Sequence, residues 1–304
     1  MTVATSILDA ITVPESEGRA IPDAATRETI GYAPVHTRAD LDVAVAAARA
    51  AQPAWNALGH AERSRILNAI ADEIEANAEE LAHLLSREQG KPLDGPNARF
   101  EVGACAVWTR AAADTVLEPE VVFEVEGARA EVHYDALGVV GAIGPWNWPM
   151  MISVWQIAPS LRMGNTVVAK PSEYTPLSVL ALAEIYNRHL PQGVLTVISG
   201  DREVGAAIPG HAGIDKVMFT GSTATGRKIV EASANNLARL TLELGGNDAG
   251  IVLPGTDPAA IAENLFWGCF INTGQTCAAL KRLYVHDSLY DAVVETLAGM
   301  AQAM

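Results

Sequence analysis

One of the three cysteines in the 304-residue chain, Cys277, lies in a segment suited to nucleophilic chemistry. It follows Gly274 and several small polar residues in Phe270–Ala278 (FINTGQTCA). A cysteine attacks a carbonyl carbon as its thiolate, and an unperturbed cysteine is mostly protonated at neutral pH. We therefore expect a helix N-terminus or a bound cation to activate it. The other cysteines, Cys105 and Cys269, fall in apolar helical patterns, which predict core thiols.

Carbonyl addition also needs a donor for the oxyanion and a base for water, and the sequence offers one candidate for each. Asn147 lies between two tryptophans and two prolines in Ala142–Pro149 (AIGPWNWP), so a rigid turn would present its amide. The alternative is a packed tryptophan corner in which backbone groups satisfy Asn147. Glu243 ends an apolar strand before two glycines (LELGG), and apolar surroundings would favour a carboxylate basic enough for general-base catalysis. The alternative is a carboxylate that accepts hydrogen bonds from the Gly-Gly turn.

Two further segments carry groups that suit a nucleotide. In Lys216–Ile229 (KVMFTGSTATGRKI), a strand runs into a helix whose N-terminal amides and dipole suit a phosphate. Its glycine spacing is not the common Gly-x-Gly-x-x-Gly fingerprint, and a cap from Ser222 or Thr223 is the simpler explanation. In VVAKPSEYTP, Lys170 and Glu173 follow a strand, where they would donate to and accept from ribose hydroxyls. The alternative is a solvated Lys-Pro turn followed by an acidic first helical turn.

The N-terminal elements are predicted to be mainly helical. Apolar residues recur at helical spacing in Arg38–Trp55, Glu62–Glu88 and Ala98–Asp114. In Glu118–Tyr134, apolar residues alternate with polar ones on both sides of Gly127. This pattern predicts a two-stranded hairpin with one solvated face.

From Leu137 onward, apolar strands alternate with helices such as Thr175–Leu190 and Thr225–Ala234, which predicts an α/β fold with a parallel sheet covered on both faces. The predicted strands are Gly138–Ile143, Asn165–Ala169, Val194–Ile198, Lys216–Phe219, Arg239–Leu242 and Ala249–Val252. The helical segment Ser288–Met304 carries no cap or polar tail, so we expect the fold to continue beyond it.

The composition argues against several classes of protein. Apolar residues make up 49% and charged residues 19%, which suits a substantial core, and the net charge of -15 argues against nucleic-acid binding. No run of about 18 apolar residues occurs, so no membrane span is expected. The cysteine spacing predicts no metal site and no disulfide framework. Because residues 1–20 also lack the basic and apolar regions of a secretory signal, we expect a cytoplasmic protein.

Taken together, the motifs resemble those of the aldehyde dehydrogenase superfamily. PWNWP, KPSE, FTGSTATG, LELGG and FINTGQTCA occur in the family's order, and the resemblance runs from about residue 15 to the end. It implies a Rossmann-like parallel sheet with helices on both faces, a protruding β-hairpin, and the first part of a second α/β catalytic domain. Residues 1–113 and 138–245 would form the NAD-binding domain, 114–137 an oligomerisation hairpin, and 246–304 the incomplete catalytic domain.

The resemblance also implies individual roles. Cys277 would be the nucleophile, Asn147 and the Cys277 backbone N–H the oxyanion hole, and Glu243 the base that activates water to hydrolyse a thioester. The cofactor-binding residues would be Ile143, Trp146, Lys170, Ser172, Glu173, Thr220, Gly221, Ser222, Leu244 and Gly245. Of these, Lys170 and Glu173 would hold the adenosine ribose, and Ser222 with Trp146 would contact the pyrophosphate. The aldehyde tunnel would include Trp148, Met151, Trp155 and Trp267.

The implied activity is oxidation of an aldehyde to a carboxylic acid with reduction of NAD(P). Glu173 favours NAD because a carboxylate beside the ribose repels a 2′-phosphate, although Lys170 and Ser172 leave NADP possible. The apolar tunnel residues suggest an aliphatic or aromatic aldehyde. The remaining partner implied is a further copy of the chain, giving a dimer or tetramer in the full-length form.

Two departures from the family keep other interpretations open. Asn247 follows LELGG where lysine is more usual, and the family's chains run far longer. The second half of the catalytic domain, including the Glu-x-Phe-Gly-Pro segment that holds the nicotinamide ribose, is therefore expected to be absent.

One alternative is a truncated chain that only binds nucleotide or oligomerises. A second is a CoA-acylating dehydrogenase, against which Glu243 argues because a hydrolytic base is useful only when water is the acceptor. A thiol protease needs a positioned histidine, and none of the seven histidines has a recognisable context for one.

Overall fold

The computed structural model describes residues 7–304, and its first hundred residues are helical apart from one antiparallel pair of strands. The helices are α1 (Ile7–Ile11), α2 (Arg38–Ala57), α3 (Gly59–Ala76), α4 (Ala78–Gln89) and α5 (Ala98–Asp114), and the strands are β1 (Gly18–Pro22) and β2 (Thr29–Pro34). Part of the segment assessed for a secretory signal, residues 1–6, lies outside the described residues.

The N-terminal helices differ from the predicted ones at one point, Asn77. The segment Glu62–Glu88 forms two helices rather than one continuous pattern, because α3 ends at Asn77. The Asn77 side chain donates to the Glu73 carbonyl oxygen at 2.7 Å, so a local side-chain bond competes with helix continuation. The β1–β2 pair was missed, since its short strands contain glycine and proline and lack regular alternation.

The predicted hairpin is present and more exposed than expected. Strands β3 (Glu120–Val125) and β4 (Ala128–Val132) pair antiparallel across a turn in which Gly127 has a φ of 81°. Every residue of both strands is exposed, so the expectation of a single solvated face is wrong for this chain. The hairpin therefore presents apolar side chains to solvent on an unpartnered ribbon.

A five-stranded parallel sheet forms the centre of the molecule and confirms the predicted α/β fold. Its strands are β5 (Val139–Ile143), β6 (Thr166–Lys170), β7 (Leu195–Val197), β8 (Lys216–Gly221) and β9 (Arg239–Leu244), and the connecting helices are α6 (Pro149–Arg162), α7 (Pro176–Asn187), α8 (Arg202–Ala207) and α9 (Thr223–Ser233). The strand order is β7-β6-β5-β8-β9, and every pairing is parallel.

Helices cover both faces of this sheet, as the buried strands require. Adjacent residues of β5, Val139 and Val140, pack into two different hydrophobic clusters, and so do Val167 and Val168 of β6. One cluster joins the sheet to α3, α4, α5, α6 and α7, and the other joins it to α2, α8 and α9. This alternation explains why the central strands are continuously apolar.

A buried carboxylate from α4 fixes the start of α7. Glu88 accepts hydrogen bonds from the backbone N–H groups of Leu177 at 2.6 Å and Ser178 at 3.0 Å, and from the Ser178 hydroxyl at 2.6 Å. Helix α7 has no cap from its own preceding side chain, so Glu88 supplies one. Burial raises the pKa of this carboxyl to about 7.

The C-terminal elements form a separate small sheet. They are β10 (Asp248–Val252), α10 (Pro258–Phe270), β11 (Leu280–Val285) and α11 (Tyr290–Gln302). Strand β10 pairs in parallel with β11, which the sequence did not predict, and neither joins the five-stranded sheet. Between residues 7 and 304, no helix is long and apolar enough to cross a membrane.

Candidate active site

A cleft of about 1030 Å³ opens where the central strands end. The loops that follow β5, β6, β8 and β9 line one side, and the segment Gly274–Cys277 lines the other. Its lining includes all ten predicted cofactor-binding residues, together with Asn147, Trp148 and Cys277. These loops meet because the carboxyl ends of parallel strands lie at one edge of a sheet.

Cys277 enters the cleft on a turn between α10 and β11. The turn begins with three consecutive left-handed residues, Asn272 (φ 52°), Thr273 (φ 54°) and Gly274 (φ 78°). A left-handed conformation is unusual for a β-branched residue such as Thr273 and stores strain. A strand rather than a helix follows Cys277, so its own segment supplies no helix N-terminus to activate the thiol.

The three cysteines differ in exposure, and Cys269 is less buried than the core thiol that the sequence predicted. Cys105 is buried in α5, Cys269 is partly buried in α10, and Cys277 is exposed in the cleft. Burial raises the pKa of the Cys105 and Cys269 thiols, which keeps both in the protonated form. Cys277 is therefore the cysteine with access to a ligand.

The turn that carries Asn147 is bound directly to the Cys277 loop. The Asn147 side-chain Nδ2 donates to the Gln275 carbonyl oxygen at 2.7 Å, and the Trp148 indole N–H donates to the Thr276 hydroxyl at 3.0 Å. The alternative of a packed tryptophan corner is realised in part, since Trp148 is buried while Trp146 is exposed. The Asn147 amide thus points toward the segment that holds Cys277.

Gly246 brings the loop after β9 against the same segment. A Cβ atom placed on Gly246 would lie 2.6 Å from the Cys277 carbonyl oxygen and 2.5 Å from the Asp248 side-chain Oδ1, both closer than real Cβ contacts. A Cβ atom on Gly245 would meet nothing within 4 Å. The second glycine of the LELGG motif is therefore required by close packing on the Cys277 backbone.

Glu243 does not have the apolar surroundings that the sequence suggested. It is exposed and pairs in register with Thr220 of β8. Leu240, Leu242 and Leu244 pack toward the hydrophobic cluster under the sheet, so the alternating residue Glu243 lies on the opposite face. Only one face of β9 is apolar, and the short motif LELGG does not show which face Glu243 occupies.

Lys170 and Glu173 lie together at the end of β6. The Lys170 ammonium is almost fully buried, donates to the Pro171 carbonyl oxygen at 3.0 Å, and lies 3.8 Å from a Glu173 carboxylate oxygen. Burial lowers the pKa of Lys170, while the nearby Glu173 acts in the opposite direction. Gly205 packs on the lysine stem, where a Cβ atom would come within 3.2 Å of Lys170 Cε. The solvated Lys-Pro turn considered as the alternative is therefore not found.

The start of α9 is built as a helix N-terminus facing the cleft. The Ser222 hydroxyl accepts from the Thr225 backbone N–H at 3.2 Å, so the capping interpretation holds. Three cations that the sequence analysis did not single out also line the cleft: Arg202, Lys228 and Lys281. Their position follows from the fold and carries no motif signal.

The predicted tunnel residues separate into two groups. Trp148 lines the cleft, whereas Met151, Trp155 and Trp267 are not among its lining residues. Trp155 packs edge-on against Trp108 of α5 with ring centroids 5.4 Å apart. Trp267 packs in the same manner against its neighbour Phe266 in α10, with centroids 5.2 Å apart. The expectation of one continuous apolar tunnel is therefore not met among the described residues.

A buried ion pair behind the cleft was missed entirely. Lys91 and Glu101 pair with fully buried side chains, and the Lys91 ammonium also donates to the Asn147 carbonyl oxygen at 2.9 Å. Burial lowers the pKa of Lys91 and raises that of Glu101, and each shift is opposed by the partner's charge. In the sequence, Lys91 belongs to a Gly-Lys-Pro helix stop, and nothing in that signal indicates burial.

Comparisons with known proteins agree with the motif resemblance. The model of the aldehyde dehydrogenase family matches residues 13–304. Phenylacetaldehyde dehydrogenase of Pseudomonas fluorescens is 40% identical over 297 residues, covering 92% of this chain and 58% of that protein. Geranial dehydrogenase of Castellaniella defragrans is 39% identical over 297 residues, covering 95% of this chain and 62% of that protein.

The fold is likewise shared with solved structures. The crystal structure of PnpE in complex with nicotinamide adenine dinucleotide matches with a TM-score of 0.91 at 38% identity, covering 97% of this chain and 61% of that one. PnpE is a protein of Pseudomonas sp. WBC-3. The chain thus spans about three fifths of the length of these relatives, 58% to 62%.

Proposed function

Because the chain belongs to the aldehyde dehydrogenase family, we propose that it oxidises an aldehyde to the carboxylic acid with reduction of NAD(P). The observation that carries this proposal is the single cleft lined by Cys277, Asn147 and the predicted nucleotide-binding residues. A nucleophile, an oxyanion donor and a cradle for a dinucleotide are the three parts that the reaction needs.

The residues of the cleft fit a dinucleotide. The N-terminus of α9, capped by Ser222, offers backbone N–H groups and a favourable dipole to a pyrophosphate. Lys170 and Glu173 supply a donor and an acceptor for ribose hydroxyls, and Glu173 favours NAD over NADP. NAD is also the molecule named with PnpE. When bound, NAD(P) supplies the acceptor for the hydride that leaves the aldehyde carbon.

The chain's own residues account for the remaining chemistry. The Cys277 thiolate adds to the aldehyde carbon, and Asn147 with the Cys277 backbone N–H stabilises the oxyanion that forms. Losing one such donor typically lowers the rate by ~10²–10³. Once hydride loss has left a thioester on Cys277, Glu243 takes a proton from water, and the hydroxide displaces the sulfur to release the acid.

The substrate and assembly follow as further parts of the proposal. Trp148 gives the cleft an apolar wall, and the relatives are named for phenylacetaldehyde and geranial, so an aromatic or branched aliphatic aldehyde is the substrate class. Residues 1–113 and 138–245 form the NAD-binding unit, and 246–304 the start of the catalytic unit. The exposed hairpin within 114–137 is the oligomerisation element, which light scattering of a Phe123→Asp variant tests.

A panel of apolar aldehydes tests the proposed activity. The chain is mixed with NAD and each aldehyde, and reduced cofactor is followed by its ultraviolet absorbance. Cys277→Ala should abolish the signal and leave the affinity for NAD near that of the parent. NAD binding without any reduction by the parent would favour the alternative, a chain that binds nucleotide without turnover.

A further inference from the structure

We propose that Lys91 and Asn272 are positioning residues that hold the Asn147 turn against the Cys277 loop and so aim the Asn147 amide at the oxyanion. This inference rests on the proposed function. Neither residue belongs to the set that the motifs identify as catalytic or cofactor-binding.

The first observation is the double use of one carbonyl group. The Asn147 carbonyl oxygen accepts from Lys91 Nζ at 2.9 Å and from Asn272 Nδ2 at 2.8 Å. Two donors match the two lone pairs of a carbonyl oxygen, so the peptide plane after Asn147 is held from two elements at once. Because this plane holds the backbone from which the Asn147 side chain extends, both donors act on the amide indirectly.

Lys91 is itself held on three sides. It pairs with Glu101, and its ammonium lies 4.0 Å from the centroid of the Trp148 ring. The other Glu101 oxygen accepts from the backbone N–H groups of Met150 at 2.9 Å and Met151 at 3.1 Å, at the start of α6. The turn between β5 and α6 is therefore clamped at its carbonyl group, at its tryptophan and at the helix that follows. Burying an ammonium is costly, and here Glu101, the Asn147 carbonyl oxygen and the Trp148 ring offset that cost.

Asn272 combines an unfavourable backbone conformation with an unsatisfied buried oxygen. It adopts a left-handed φ of 52°, and its fully buried Oδ1 has no hydrogen-bond partner among the described residues. Its Nδ2 faces two acceptors, the carbonyl oxygens of Asn147 and Gln275, so the opposite amide orientation would place oxygen against oxygen. The side chain is therefore suited to donating hydrogen bonds, and an unsatisfied oxygen is tolerated for it.

The second N–H of the Asn147 amide has no acceptor within residues 7–304. One hydrogen of its Nδ2 is used by the Gln275 carbonyl oxygen, two residues before the nucleophile. A carboxamide nitrogen carries two hydrogens, so the other is available to an oxyanion formed at Cys277. Losing either support would let the turn move and misalign this donor.

Two reagents that attack the same sulfur separate oxyanion stabilisation from thiol reactivity. With p-nitrophenyl acetate, the Cys277 thiolate adds to the ester carbon, an oxyanion forms, and p-nitrophenolate leaves as the acetyl thioester forms. With iodoacetamide, the thiolate displaces iodide and no oxyanion forms. Mass spectrometry assigns both modifications to Cys277.

For Lys91→Met, we expect acylation by the ester to fall on the order of 10-fold or more, approaching the ~10²–10³ expected when Asn147→Ala removes the donor itself. Alkylation by iodoacetamide should stay within about 2-fold of the parent. Asn272→Gly should give the same split, because glycine accepts the positive φ and only the donor is lost. Lys216→Met, which removes a partly buried lysine bonded to Thr241 away from the cleft, should change neither rate.

A double variant distinguishes positioning from general damage. Lys91→Met in the Asn147→Ala background should acylate no more slowly than Asn147→Ala alone, since the positioned group is already absent. Additive losses, equal slowing of both reagents, or unchanged acylation in the single variants would each overturn the inference. So would a parent that never acylates. If Lys91→Met fails to fold by circular dichroism, Asn272→Gly decides alone.

Neither reagent uses NAD or an aldehyde. A parent that reacts with both reagents but reduces no cofactor would therefore refute the proposed function while the positioning test proceeds. A chain that oxidises aldehydes, with Lys91→Met acylating at the parent rate, would refute the inference alone.

Discussion

At the scale of single residues, the exposure of Glu243 bears most directly on the proposed chemistry. Its side chain lies on the open face of β9, whereas the leucines that flank it pack inward. An open position gives a carboxylate free access to water, which suits a group that must deprotonate water after the thioester has formed. In the proposed mechanism Glu243 acts only after the thioester has formed, and the first addition is assigned to Cys277 and Asn147.

Glu243→Gln is therefore expected to stop turnover after one cycle. The variant should release one equivalent of reduced cofactor per Cys277 in a rapid burst, followed by a steady state lower by ~10²–10⁴, the usual contribution of a general base. Stopped-flow absorbance with saturating NAD and an apolar aldehyde measures both phases. Glu231→Gln, at an exposed glutamate on α9, is the matched control. A Glu243→Gln steady state equal to that of the control would remove Glu243 from this role.

The residues that line the cleft were easier to identify from sequence motifs than the buried residues that support them. Cys277 and Asn147 stand among small residues, prolines and tryptophans in unusual strings, so their types and spacing carry information. Lys91 and Glu101 lie 10 positions apart in an ordinary helix stop and an ordinary helix, and Glu101 is bonded on its other oxygen by backbone N–H groups at the start of α6. Burial of this kind arises from non-local packing, which spacing along the chain does not encode.

At the scale of elements, the sequence predicted every strand of the five-stranded sheet, including the edge strands β7 and β9, but missed β1, β2 and β11. Strands β5 and β6 are continuously apolar because helices cover both of their faces. Strand β11 (LKRLYV) is interrupted by Lys281 and Arg282, and it is defined only by its pairing with β10. The loop that follows β9 connects the element scale to the residue scale, because Gly246 in this loop packs against the Cys277 backbone.

Gly246→Ala should disturb the nucleophile through this contact. A Cβ atom would lie 2.5 Å from Asp248 Oδ1 and 2.6 Å from the Cys277 carbonyl oxygen, so the Asp248 side chain must turn away and the two backbone segments must separate. Because displacement by about 1 Å can cost ~10² in rate, we expect aldehyde oxidation to fall by about 10- to 100-fold. The rate of Cys277 alkylation without cofactor should change in parallel.

Gly245→Ala is the matched control for this packing effect. Its Cβ atom would meet nothing, so its unfolding midpoint and its alkylation rate without cofactor should equal those of the parent. If Gly246→Ala alkylated and unfolded like Gly245→Ala, the close approach would have no consequence for the Cys277 loop.

At the scale of the whole molecule, the exposed apolar side chains and the buried charged groups need separate explanations. Exposed apolar side chains concentrate on the hairpin, at Val121, Val122, Phe123 and Val125, where an unpartnered ribbon suits contact with another chain. The body of the molecule instead buries charged groups that join one layer of helices to the next. Glu88 is one of these, because its buried carboxylate on α4 bonds to the start of α7.

Glu88 should make the stability of the folded chain depend on pH around neutrality. Its pKa is about 7 in the folded chain, above the ordinary 4.5, chiefly because burial disfavours the charged form, with Glu101 adding to the effect. The folded state therefore holds the proton more tightly than the unfolded state. The favourable contribution is complete below about pH 4.5 and is lost as the pH rises through 7, by up to about 3 kcal/mol.

Glu88→Gln cannot ionise, so its free energy of unfolding in urea should lack this decline. The difference between variant and parent should shift in favour of the variant across that window and then stay constant above it. Parallel curves for the two proteins from acid to mildly alkaline pH would show that folding does not raise the pKa of Glu88.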